Sequence, residues 1–225
     1  MEEFTKILIY VHAAFGGLGL ITGIGSAVVT KGSALHKKMG KLFSIGMLTS
    51  SLISIPISWM PNHENLFLFL IGLFTIYLVL AGNIALGFKT KTVAAWKDKL
   101  VSGAMLIISA AMLFVGAYAL LGDSMGILYL VFGGLGMLLS IKDFVFYKNP
   151  KKSPKGWLVV HLGKMLGALI ASFTAFIVAG LGVNNIIAWL LPTVIGTIYI
   201  VYWKRKTLGK LGRKSNVNTR EKNVK

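Results

Sequence analysis

The sequence predicts an all-α integral membrane protein, a bundle of seven transmembrane helices, on three observations. First, the 225 residues are 55% apolar and 14% charged, with a mean hydropathy of +0.74; soluble domains carry charge on roughly a quarter of their residues. Second, of 24 lysines and arginines, twenty-two fall in four stretches, 31–41, 89–99, 142–155 and 204–225. Third, the apolar segments between these stretches divide into lengths near the roughly 20 residues needed to cross the hydrocarbon core of a bilayer. Inside lipid each backbone amide must be bonded within the protein, so segments of this kind are helices.

Taken in order, the first span is 4–29. It follows Glu2 and Glu3, runs unbroken past His12 and several glycines, and so reads as a retained span rather than a signal peptide. The second, 42–60, carries Pro56, where a kink is expected. The third is 66–87 and the fourth 100–121, each bounded by a basic stretch on one side. The fifth, 125–141, is the shortest. The sixth is 157–181, and the seventh, 186–203, contains Pro192 as a second expected kink. Residues 204–225 are basic and poor in apolar side chains, the composition of a disordered tail.

Lysine and arginine resist translocation, so the basic loops and the tail are expected in the cytoplasm. The connectors 61–65, 122–124 and 183–185 contain neither residue, and Glu64 and Asp123 sit in two of them. They face outward, as does the N-terminus. All five tryptophans (Trp59, Trp96, Trp157, Trp189, Trp203) lie near predicted span ends, as interfacial anchors do. The expected location is the cytoplasmic membrane of a bacterium.

The net charge of +17 suggests nucleic acid in a soluble protein, but here it sits beside apolar spans. The partners it implies are the bilayer and anionic lipid at the cytoplasmic face, not nucleic acid. Without cysteine there is no disulfide, thiolate metal site or cysteine nucleophile.

Two stretches read FGGLG, 15–19 and 132–136. Each is followed by a basic loop and then by a histidine with a methionine close behind: His36 and Met39 in HKKMG, His161 and Met165 in HLGKMLG. Further on, FTIYLVL (74–80) is matched by GTIYIVY (196–202), giving offsets of 117, 125 and 122. These matches predict a 3+1+3 arrangement: repeat one over 4–87, an inverting linker helix over 100–121, and repeat two over 125–203, the repeats being parallel.

The repeat puts His36 and His161 at one depth near the cytoplasmic face. One reading makes them paired imidazole ligands of a b-type haem or a metal ion, with Met39 and Met165 as soft additional ligands. Lys164, three residues from His161, then pairs with an anionic substituent such as a haem propionate. The other reading leaves His36 solvated and turns His161 and Lys164 to the headgroups. His12 lies about 10 Å below the opposite surface at roughly 1.5 Å per residue, where it reads as a proton relay, a substrate contact, an outer metal ligand with His63, or a neutral ring bonded to a neighbouring helix. Asn83, Thr75, Thr174, Thr197, Tyr77 and Tyr199 read as interhelical glue.

No HExxH, GxSxG or Walker motif occurs, and all seven acids are expected in loops, tails or interfaces. The catalytic residues of any enzyme are therefore not specified. Three functions fit: a haem- or metal-binding redox or haem-handling protein, a small-solute transporter with its site between the repeats, and a non-catalytic assembly factor.

His12 in a glycine-rich first helix, HKKMG opening the second, and the run His161, Lys164, Met165, Thr174, Ala175, Phe176 resemble bacterial membrane proteins grouped as domain of unknown function 2306. Lys37 stands where that pattern has arginine, which removes bidentate anion binding there. The resemblance brings no activity; it implies that His12, His36 and His161 are the positions that matter.

Overall fold

A computed structural model of the chain describes residues 2–122, 125–183 and 185–222, with side chains described as far as 206. Asp123, Ser124 and Asn184, assigned to connectors from the sequence, lie outside these residues. Among the described residues the elements are α1 (Glu2–Val28), α2 (Ala34–Ile57), α3 (Leu66–Gly87), α4 (Trp96–Ala119), α5 (Gly126–Lys148), α6 (Gly156–Ala175) and α7 (Ile186–Lys222). A single π-helical turn, Phe176–Gly180, ends α6. Seven helices are long and apolar enough to cross a membrane, and the chain is a multi-pass membrane protein.

Local chemistry sets the helix starts. The Ser33 hydroxyl accepts the His36 amide at 3.1 Å to open α2, and Asn65 Oδ1 accepts the Leu68 amide at 2.9 Å to open α3. Asp98 in the first turn of α4 reaches back to the Ala95 amide at 2.8 Å, and Asn185 caps α7 through the Ala188 amide at 2.8 Å. Pro56 lies one residue from the end of α2 and closes that helix, whereas Pro192 lies inside α7.

Without a hydrophobic drive between helices in lipid, small residues that admit close contact decide the pairings. On α1 the residues Thr5, His12, Gly16, Gly19, Gly23 and Ser26 recur at intervals of three, four or seven and form one face. That face lies along α2. A Cβ on Gly46 would stand 2.8 Å from the Phe15 carbonyl oxygen and 3.0 Å from the Gly19 nitrogen, so backbone meets backbone there. The buried residues of α4, Asp98, Ser102, Met105, Ser109, Met112 and Gly116, alternate intervals of four and three, and this stripe meets Gly133, Gly136, Ser140 and Asp143 of α5. α3 is the most buried helix and packs on α2, α4 and α6. Toward the end of the bundle where α1 begins, Phe67 holds Trp189 edge-on at 4.8 Å and Phe132 at 5.6 Å. Trp189 is thus a core residue, whereas Trp59 and Trp96 are exposed.

The packing departs from two equivalent three-helix units. α1 lies along α2, but its repeat counterpart α5 lies along α4 and has no comparable contact with α6. Both FGGLG stretches dock against a neighbouring helix that offers serine and methionine. In α1 the partners are Ser50 and Met47 of the following helix; in α5 they are Ser109 and Met105 of the preceding one. The shared letters encode a docking surface, and the surface found a different partner in each half. The backbone of α7 is described as helical through Lys222.

Candidate functional site

The connectors α1–α2, α3–α4 and α5–α6 and the later part of α7 share one end of the bundle, here the basic end. The last turn of α1 leaves carbonyls without helical donors, and the residues of the connector and of α2 use them. His36 Nδ1 donates to the Ser26 carbonyl at 3.0 Å. Lys31 Nζ donates to Ser26 O at 3.3 Å and to Ala27 O, where the negative end of the helix dipole favours a cation. Its ammonium also lies 5.1 Å from the centre of the Trp203 ring of α7. Partial burial lowers the Lys31 pKa below that of an ordinary lysine.

His161, on the first half of α6, donates Nδ1–H to the Gly82 carbonyl of α3 at 2.8 Å. Gly82 is where α3 and α6 touch most closely, since a Cβ there would stand 2.6 Å from Met165 Sδ and 3.2 Å from Lys164 Cβ. His36 and His161 both lie at the basic end, each tethered through Nδ1 to the carbonyl of another helix. Met39 covers Gly25 of α1, and each methionine stays on the helix of its histidine, within about one turn.

The tautomers follow from the acceptors. A carbonyl oxygen only accepts, so Nδ1 carries the proton in both rings, and in a neutral ring Nε2 keeps its lone pair. No described residue bonds either Nε2. This is the arrangement of ligating histidines, whose second nitrogen is fixed by an outer hydrogen bond. His12 is tethered in the same way toward the other end, donating Nδ1–H to Ser50 O at 2.9 Å while the Ser50 hydroxyl donates to His12 O at 3.1 Å. The ring is thus bonded to a neighbouring helix. His63 is exposed on the α2–α3 connector, with its amide on Met60 O. No group of three or more His, Cys, Asp or Glu side chains suited to a metal occurs among the described residues.

Lys164 has a protein partner that the sequence reading missed. Its Nζ lies 2.7 Å from Asp143 Oδ2 of α5, with both side chains 4% exposed. The same oxygen accepts the Tyr77 hydroxyl of α3 at 2.7 Å and the Ser102 hydroxyl of α4 at 3.0 Å. Lys164 also bonds the Tyr77 hydroxyl and lies 3.3 Å from the Leu139 carbonyl. Asp143 was expected at an interface; instead α5 continues through Lys148 and carries it into the bundle. A buried carboxylate is tolerated there because an ammonium and two hydroxyls replace its water. Tyr77, expected as interhelical glue, is part of this charged cluster. Asn83 is glue as expected, donating to Ser44 Oγ at 3.0 Å.

His161 and the Asp143–Lys164 cluster are neighbouring polar groups, since Lys164 follows His161 by one turn on α6 and both side chains reach α3. Searches of protein-family models, of curated proteins and of solved structures found no match to this chain.

Proposed function

We propose that this membrane protein holds a b-type haem or a soft metal ion between His36 and His161. One observation supports the reading: both rings, at the same end of the bundle, spend Nδ1–H on the carbonyl of another helix and keep Nε2 open. Two imidazoles would suit a haem, which when bound would supply electron transfer, and the thioethers of Met39 and Met165 would suit a soft ion such as Cu(I). The chain's own part is to fix ring orientation from α1 and α3. Lys164 pairs with Asp143, so it is not free to hold a haem propionate; nearby cations are Lys31 and Lys204.

The same proposal places the basic end in the cytoplasm of a bacterial cell, with anionic lipid around it, and groups the chain with domain of unknown function 2306. The clustering of lysine and arginine at that end supports the first, and the histidine motifs support the second. A second reading, passage of a small solute, is favoured by the buried Asp143–Lys164 cluster, because ionisable groups at such depth mark solute and proton pathways. The test is absorbance and metal analysis of protein purified in detergent from haem-replete cells. A Soret band or one equivalent of metal is expected; absence of both overturns the histidine reading.

A further inference from the structure

The backbones of α5 and α6 keep apart, each leaning on a different neighbour. What spans the gap is the Lys164 side chain, which ends on Asp143. Four helices therefore converge on one carboxylate oxygen: α3 through Tyr77, α4 through Ser102, α6 through Lys164, and α5 itself.

From that oxygen a file of hydroxyls leads to the basic end. The Ser102 hydroxyl, fully buried, lies 3.0 Å from Asp143 Oδ2 and 3.2 Å from the Tyr147 hydroxyl. Tyr147 is partly exposed, and its hydroxyl lies 3.4 Å from the Asp98 carbonyl. Asp98 in turn pairs with Lys91 on the α3–α4 connector, whose side chain is 35% exposed. A hydroxyl donates and accepts at once, so such a file can relay a proton, whereas an apolar core would block it. The other charged groups near the pair are Lys204 of α7, whose ammonium covers Gly163 of α6, Lys142 next to Asp143 on α5, and the Asp98 carboxylate paired with Lys91. His161 is one turn along α6.

We propose that Asp143 is a proton-binding site within the membrane domain, filled from the basic end through Tyr147 and Ser102, and that its neutralisation unties α5 from α6. A hydronium ion gives a proton to the Tyr147 hydroxyl as that hydroxyl passes its own to Ser102, and Ser102 passes its own to Asp143. Both hydroxyls end as they began; the hydronium has become water and the carboxylate has gained the proton. Lys164 then keeps its charge without a counter-ion and moves toward the basic end. The ligand class is the proton, and the inference does not depend on any ligand at the histidines.

The chain has no cysteine, so labels can be placed cleanly. The full chain, in lipid vesicles, carries Val145→Cys on α5 and Val160→Cys on α6 with spin labels, and infrared difference spectra follow carboxyl protonation. On lowering the pH, the label separation is expected to increase together with a protonated-carboxyl band. Asp143→Asn is expected to lose the band and to show the larger separation at every pH. Asp143→Leu with Lys164→Met removes both charges, guards against misfolding, and is expected to show no pH response. A band that survives Asp143→Asn, or a wild-type separation that ignores pH, overturns the proposal.

Discussion

His161 and Lys164 stand one helical turn apart on α6, and their side chains join different neighbours: His161 bonds Gly82 of α3, while Lys164 pairs with Asp143 of α5. One turn of helix thus carries a candidate ligand and a buried ion pair, and variants of the two should separate in what they change.

Removing one partner of the ion pair leaves the other charge buried. Asp143→Asn or Lys164→Met alone should destabilise the protein by about 3–5 kcal/mol, and the double replacement Asp143→Leu with Lys164→Met should recover most of that. Reversible unfolding in mixed detergent micelles measures all three. Equal losses in the single and double variants would show that the pair is not coupled.

Close packing of α1 on α2 makes a sharp contrast between two glycines. Gly46→Ala would drive a methyl group into the Phe15 carbonyl and the Gly19 backbone, and should cost about 1–3 kcal/mol. Gly17→Ala meets nothing within 4 Å and should leave stability unchanged or improve it. The same unfolding assay ranks them, and comparable losses would contradict the seam described for α1 and α2.

His12→Ala removes a bond between α1 and α2 without touching the basic end. Stability should fall by roughly 1 kcal/mol, in line with interhelical hydrogen bonds in membranes. Ligand content should stay at the wild-type level, read by absorbance and metal analysis. Loss of ligand in this variant would move the site to the other end of the bundle.

A reporter fused after Lys225 tests the orientation. One that is active only outside the cytoplasm should be silent, and one that needs the cytoplasm should be active. The opposite pair of results would invert the assigned topology.

Helix number and type were legible because hydropathy and the requirement for internal backbone bonding act on each segment separately. That His36 and His161 share the basic end was legible too, since FGGLG, the following basic loop and the histidine fix the register of each half. Helix partners were not, because one glycine face accepts any helix that offers serine and methionine; α5 chose α4. Asp143 was missed because the fifth span was ended at Ile141, before Lys142. The signal was present all the same: Gly133, Gly136, Ser140 and Asp143 continue one face at intervals of three and four, which places the carboxylate on the buried side of α5.

The central claim is that two tethered imidazoles form one ligand site, and titration of b-type haem or Cu(I) into the purified protein tests it most directly. One equivalent should bind per chain in wild-type protein and in Lys164→Met, with binding lost in both His36→Ala and His161→Ala. Binding that survives both histidine replacements, or no saturable binding of either ligand to wild-type protein, would contradict the account.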